Sequence, residues 1–222
     1  MQISVAHTID QLRGQLNSVQ REQLPFATSL AVNATAKKAQ AAMPAVFERL
    51  LDRPKPFTTK SGFFVQPGNK TTLRATVGIK DKQAEYLAPL LTGGNRQQKI
   101  SEARFRGRFF APGRAAPIDR YGNISKAVLL AILRAAETAS EWRGRRIVVL
   151  PSATGRLPAG VYAAPKTSGK GPRNMSLLLL FQNRSPGYRR RIRFGEEVAT
   201  VVRAEFVGEF VSAMARAQAS AR

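Results

Sequence analysis

The residues able to do chemistry are few, and their spacing does not suit it. His7 is the single histidine, close to the start of the chain and without a partner at metal-ligand spacing. With no second histidine, a serine triad of the usual kind is out of reach. There is no cysteine, which excludes disulfides, thiolate catalysis and thiolate metal sites. Carboxylates pair only as Glu196/Glu197 and Glu205/Glu209. Both pairs read better as helix-end and solvated charges than as an acid–base couple. "GNRQQK" and "SGKGP" put glycine near lysine, but neither has the spacing that wraps backbone amides around a phosphate. The sequence therefore nominates no catalytic residue, no metal site and no cofactor.

What it offers in quantity is positive charge. Thirty-six basic residues face 14 acidic ones, a net charge of +22. Self-repulsion on that scale calls for an external polyanion or an acidic partner. Between Lys166 and Arg193 there are eight basic residues and no acid. Within this stretch "YRRRIRF" reads as a strand, with Arg189, Arg191 and Arg193 on one face and Arg190, Ile192 and Phe194 on the other. Guanidinium groups roughly 7 Å apart on one strand face suit a row of phosphates or carboxylates. They equally suit a solvated edge strand whose charge discourages aggregation. Lys166, Lys170, Arg173, Arg189, Arg190, Arg191 and Arg193 form the candidate contact set for DNA or an acidic partner.

A second cationic stretch, "YLAPLLTGGNRQQKISEARFRGRFFAPGRAAPIDRYGNIS", runs from Tyr86 to Ser125. It holds six basic residues between Arg96 and Arg114 against one acid, Glu102. Beyond a possible helical turn around "QQKISEARFR", its glycines and weak periodicity read as an extended basic arm, a candidate for touching another protein. The candidate contacts are Tyr86, Gly93, Gly94, Arg96, Lys99, Arg104, Arg106, Arg108, Phe109 and Phe110. The Phe109–Phe110 pair reads as an anchor on a core or a neighbour rather than a stack for bases. No groove-reading motif is present, which argues against sequence-specific DNA binding.

The elements around these stretches predict an α+β protein: a mostly antiparallel sheet flanked by long N- and C-terminal helices, as a single domain of 222 residues. The N-terminal helical segment spans 8–51. Ile9, Leu12, Leu16 and Val19 make one stripe, and Pro25 opens a second, alanine-rich helix that Pro44 kinks or restarts. Ala27, Ala31, Ala34 and Ala42 allow close approach, either in the core or between subunits. A hairpin follows, from Phe57 to Gln66 and from Lys70 to Lys80, with Leu73, Ala75, Val77 and Ile79 on one side. The β-core with its arm occupies about 57–120. A capped helix after Asn123 or Ser125 and a second β-segment fill 124–194, including "RRIVVLPS", "GRLPAGVYAAPK" and a fully buried "MSLLLLFQN". The closing helix, 195–217, carries Val198, Val202, Phe206, Phe210 and Met214 at four-residue intervals, and its tail should fray. The opening residues do not read as a signal peptide. The greasiest runs, Ala127 to Leu133 and Met175 to Phe181, are too short to span a bilayer, so a soluble chain is expected.

In order, "YLAPLLTGGNRQQKISE", "FFAPGRAAPIDRYGNIS", "LPAGVYAAP", "SLLLLFQN" and "YRRRIRFGEEVATVVRAEFVGEFVSAMARA" resemble the minor tail protein Z and tail-completion (neck) proteins of tailed bacteriophages and prophages. "QLPFATSLAVNATAKKAQ" is similar to the alanine-rich first helix of that group. The likeness covers about Leu24 to Arg216, and "DRYGNIS" after the glycine-flanked stretch is its most distinctive part. It implies a structural virion protein with no catalytic residues, assembled in the host cytoplasm at the head–tail junction or upper tail. The implied partners are copies of itself in a ring, portal, adaptor or tail-tube proteins, and double-stranded DNA passing without base readout; no membrane is involved. The alternative is a non-specific nucleic-acid-binding protein for packaging or the ribosome.

Overall fold

A computed structural model describes residues 2–4, 18–105, 108–166 and 174–220. His7, Ile9, Leu12 and Leu16 lie outside the described residues, as do Arg106, Lys170 and Arg173. The side chains of Val19 and Arg104 are likewise outside them. The described chain is α+β, and its contacts group it into two compact units: residues 1–92 with 190–222, and residues 93–189.

The first unit begins with strand β1 (Gln2–Ser4) and helix α1 (Ser18–Leu50). The sequence predicts a helix starting at Pro25; instead α1 runs through both Pro25 and Pro44. A proline inside a helix forfeits a hydrogen bond and costs on the order of 3 kcal/mol. Burial of one long face opposes that cost: Leu24, Ala27, Ala31, Val32, Ala36, Ala39, Met43 and Phe47 are all essentially inaccessible, and each large side chain so buried contributes roughly 1.5–3 kcal/mol. After α1, Pro56 opens a short helix, α2 (Pro56–Thr59), where a strand was expected from Phe57. Strand pairing starts only at β2 (Phe63–Gln66), antiparallel to β3 (Arg74–Ile79), and β1 lies on the far side of β3. Ala75 and Val77 face the core as the alternation predicts, but Leu73 sits before the strand at φ 46°. The turn between β2 and β3 is fastened to α1 by a reciprocal amide pair. Asn33 Nδ2 donates to the Gly68 carbonyl at 2.9 Å, and the Gly68 amide donates to Asn33 Oδ1 at 2.8 Å. Helix α3 (Asp81–Thr92) then buries Leu87 against this core.

The second unit follows Gly93 and Gly94, both with positive φ. It contains β4 (Gly94–Asn95), α4 (Ile100–Arg104), β5 (Phe109–Pro112), α5 (Lys126–Glu137), β6 (Glu141–Trp142), β7 (Arg145–Leu150), β8 (Gly160–Ala164), β9 (Ser176–Gln182) and β10 (Gly187–Tyr188). Ser125 caps α5 through Oγ, which accepts from the Val128 amide, as its residue type predicts. Arg143 and Gly144, both at positive φ, make the two-residue turn that joins β6 to β7 with the hand a hairpin prefers. The five-stranded sheet has the order β5-β9-β8-β7-β6, all antiparallel, and β4 pairs with β10 separately. Leu178 and Leu179 are adjacent in β9 and both buried, so this strand is covered on both faces, as expected.

The chain returns to the first unit as α6 (Phe194–Ser220). Val198 joins the core of α1 and the sheet, with Val201, Val202 and Phe206 beside it. Further on, Ala213 and Ala217 meet Ala27 and Ala31 in a fully buried alanine seam. That seam keeps the C-terminal end helical through Ser220, where fraying from about Ala215 was expected. Lys38 bridges Glu205 and Glu209 at 2.6 and 2.7 Å, and Arg49 meets Glu197 at 3.0 Å. These pairs run along two helices of opposite direction.

Candidate functional site

The stretch expected to reach out as an arm is folded into the two units. Tyr86 to Thr92 belong to α3. From Gly94 to Pro112 the chain supplies β4, α4 and β5 of the second unit. Phe105 and Phe110 are in its core, packed with Phe181, Leu178 and Ile132. The reason is Glu102, the one acid between Arg96 and Arg114, which is fully buried. Arg96 grips it with both terminal nitrogens, Nη1 to Oε2 at 2.7 Å and Nη2 to Oε1 at 2.5 Å. The Lys99 amide donates to Oε2 at 2.8 Å and the Phe110 amide to Oε1 at 3.1 Å. Burial alone would push the Glu102 carboxyl up; the Arg96 guanidinium and the two backbone amides outweigh it and hold it below the usual carboxylate range. Arg96 is raised in turn, chiefly by its bond to Glu102. It also lies 5.1 Å over the Phe109 ring, and its own backbone is held by Pro186 and Ser185.

The other proposed arm contacts scatter. The Tyr86 hydroxyl meets Thr58 Oγ1 at 2.7 Å. Lys99 is exposed just before α4. Arg108 donates to the Pro151 carbonyl and lies 5.5 Å over the Phe181 ring. Gly93 and Gly94 follow α3 directly, both at positive φ.

The cationic run after Tyr188 is also not the strand expected. Only Gly187 and Tyr188 pair, with Asn95 and Gly94. Residues 189–193 are irregular, because the Arg191 and Ile192 amides both turn to the Leu90 carbonyl and Ile192 is buried. The one-face ladder of Arg189, Arg191 and Arg193 therefore does not form. Arg189, Arg190, Arg191 and Arg193 are nevertheless all exposed. Arg193 meets Glu196 at 3.4 Å; Arg189, Arg190 and Arg191 make no ion pair with any described carboxylate. Lys166 differs, being paired with Glu141 at 2.7 Å.

The acids explain why these arginines stay uncompensated. Asp52, Glu102, Glu141, Glu196, Glu197, Glu205 and Glu209 each already face a cation. That is half of the 14 acids, and the remainder fall far short of the basic residues left over. Among the described residues there is no group of three or more His, Asp or Glu that could hold a metal ion, and no helix is long and apolar enough to cross a membrane. The site is thus an electrostatic one: clustered guanidinium donors on an irregular, accessible segment. Glu102 is not among the candidate contacts, although a lone acid among six cations is itself a signal of a buried partner. No family model, curated protein or solved structure matches this chain.

Proposed function

We propose that this chain is a structural virion component of a tailed bacteriophage, a neck or tail-completion subunit that forms a ring around the DNA exit channel. The carrying observation is the exposed run Arg189, Arg190, Arg191, which no described carboxylate neutralises in a chain of net charge +22. Cations on an irregular segment meet phosphates without reading base edges, which suits DNA that must slide past. The ordered likeness to tail-completion proteins supports the same reading. The exposed residues of the folded stretch, Tyr86 and Lys99 among them, stay available for ring contacts. Val207 and Val211, one turn apart on α6 and 68% and 63% exposed, offer an apolar strip of the kind subunit contacts cover.

Native mass spectrometry of the purified chain, alone and with portal or tail-tube proteins, tests the proposal. A closed ring of fixed copy number is expected. A monomer at every concentration that also fails to join those partners rejects it. The second reading, a non-specific nucleic-acid-binding protein, rests on the same arginines and predicts duplex binding without a ring.

The arginine run has its own expected result. Changing Arg189, Arg190 and Arg191 together to glutamine leaves circular dichroism unchanged, because these side chains are exposed. It lowers the log–log salt slope for random-sequence duplex by roughly 2–3, about 0.9 for each phosphate that is no longer neutralised. An unchanged slope means the run does not touch DNA.

A further inference from the structure

We infer that α2 and the start of α3 form a stacking site for an unpaired nucleobase, with lysines on its rim to take the phosphates of a single-stranded nucleic acid. This goes beyond the ring reading, which involves only duplex DNA and no base contact.

Two aromatic rings are held half in water. Phe57 is 50% and Tyr86 48% exposed, and they stack on each other at 6.4 Å with planes 28° apart. Neither is a loose surface ring. The Tyr86 hydroxyl is tied to Thr58 Oγ1. The buried Gln83 amide donates from Nε2 to the Phe57 carbonyl at 3.0 Å, and Pro56 fixes the backbone just before it. The stack and the hydrogen bonds hold the two rings in place while leaving about half of each open to solvent. Such pinning reduces the ordering cost of binding something flat.

Beside Phe57 lies an open surface depression of about 530 Å³, lined by Phe57, Phe64, Ser61, Lys80, Lys82 and Asp81 among others. Its chemistry is divided. Two phenyl rings offer an apolar wall, Ser61 a hydroxyl, and Lys80 and Lys82 two cations against one carboxylate. Asp81 lies in the first turn of α3, where the helix dipole already engages it. Lys55 and Lys60 flank α2 in sequence.

A ligand with a flat aromatic body and several negative charges fits this division. A single strand provides both at once: bases with free faces, and a phosphate at every step for a lysine. Duplex DNA does not, because its base faces are already stacked on each other. An acidic protein segment would carry the charge but would present a ring only by chance of sequence.

The test is fluorescence anisotropy with a short labelled oligo(dT) strand and, separately, a labelled duplex of the same length. Phe57→Ala is expected to weaken oligo(dT) binding on the order of tenfold, as loss of one stacked base does, and to leave duplex binding within twofold. Phe57→Tyr keeps the ring and should keep the affinity, which separates stacking from a folding defect. The inference is overturned if Phe57→Ala leaves oligo(dT) affinity unchanged, or weakens strand and duplex equally. It is also overturned if the variant alters only the protein's oligomeric state, since the rings would then be a protein contact. Ring assembly is read in the same samples by native mass spectrometry, so loss of one property is told apart from loss of the other.

Discussion

Glu102→Gln is expected to destabilise the second unit by about 3–5 kcal/mol, the usual cost of removing one member of a buried ion pair. Four donors converge on this carboxylate. An amide keeps one oxygen for them but turns its NH2 toward donors that then have no acceptor. Arg96, whose side chain is only 13% exposed, is left as an uncompensated charge. Trp142, the single tryptophan, packs beside the core of this unit, so its fluorescence in urea reads the effect directly. The acid dependence follows from the same geometry. The folded carboxyl titrates below its unfolded value of about 4.3, so its contribution is complete above that value. It fades as pH falls through the lower folded pKa. Glu102→Gln should therefore be far less stable than wild type at neutral pH, and the gap should narrow in strong acid. A loss below about 1 kcal/mol at neutral pH would mean that the four donors find other acceptors, and that Glu102 does not hold the segment inward.

That residue also marks where the sequence was readable and where it was not. Periodic, self-sufficient elements were plain in it. The four-residue stripe of α6, the Ser125 cap of α5 and the doubly buried β9 each announce themselves through local pattern, and each is found where expected. The failures share a different cause, a distant partner that overrides a local preference. Pro25 reads as a helix start, but burial of Leu24 and Ala27 carries α1 through it. "YRRRIRF" alternates like a strand, yet two of its amides are claimed by the Leu90 carbonyl, some hundred positions earlier. The C-terminal tail lacks large apolar residues and so reads as frayed; alanines are what its contact with Ala27 and Ala31 requires. The basic stretch looked extended because glycine and arginine dominate its composition. Glu102, the one acid between Arg96 and Arg114, is what composition averages away, and it draws the segment inward. Of the candidate contacts, the exposed arginines were legible from charge alone. The Phe57–Tyr86 pair was not, since the two rings are 29 positions apart and meet only through α2 and α3.

Phe47→Ala should produce the largest loss in the first unit, again about 3–5 kcal/mol for emptying a fully buried phenyl site. Phe47 is 0% exposed. Its ring meets Phe63 of β2 edge-on at 4.8 Å and Phe194, the first residue of α6, at 6.4 Å. Phe63 and Phe194 are themselves stacked at 6.2 Å. One side chain thus joins α1, the sheet and the chain's return from the second unit. Alanine removes both ring contacts, each worth roughly 0.5–1.5 kcal/mol beyond the area buried, and leaves a void bounded by two rigid rings that cannot collapse into it. Far-UV circular dichroism follows α1 and α6, the two longest helices, and so reports this unit. Phe57→Ala makes the same chemical change at a half-exposed ring and should cost far less, which is why it can serve as a binding test. If Phe47→Ala cost no more than Phe57→Ala, the three-ring cluster would not be the joint between the helices and the sheet. The expected outcome is a large shift of the helical transition with Phe47→Ala and of the Trp142 transition with Glu102→Gln, each change registering first in the unit that contains it.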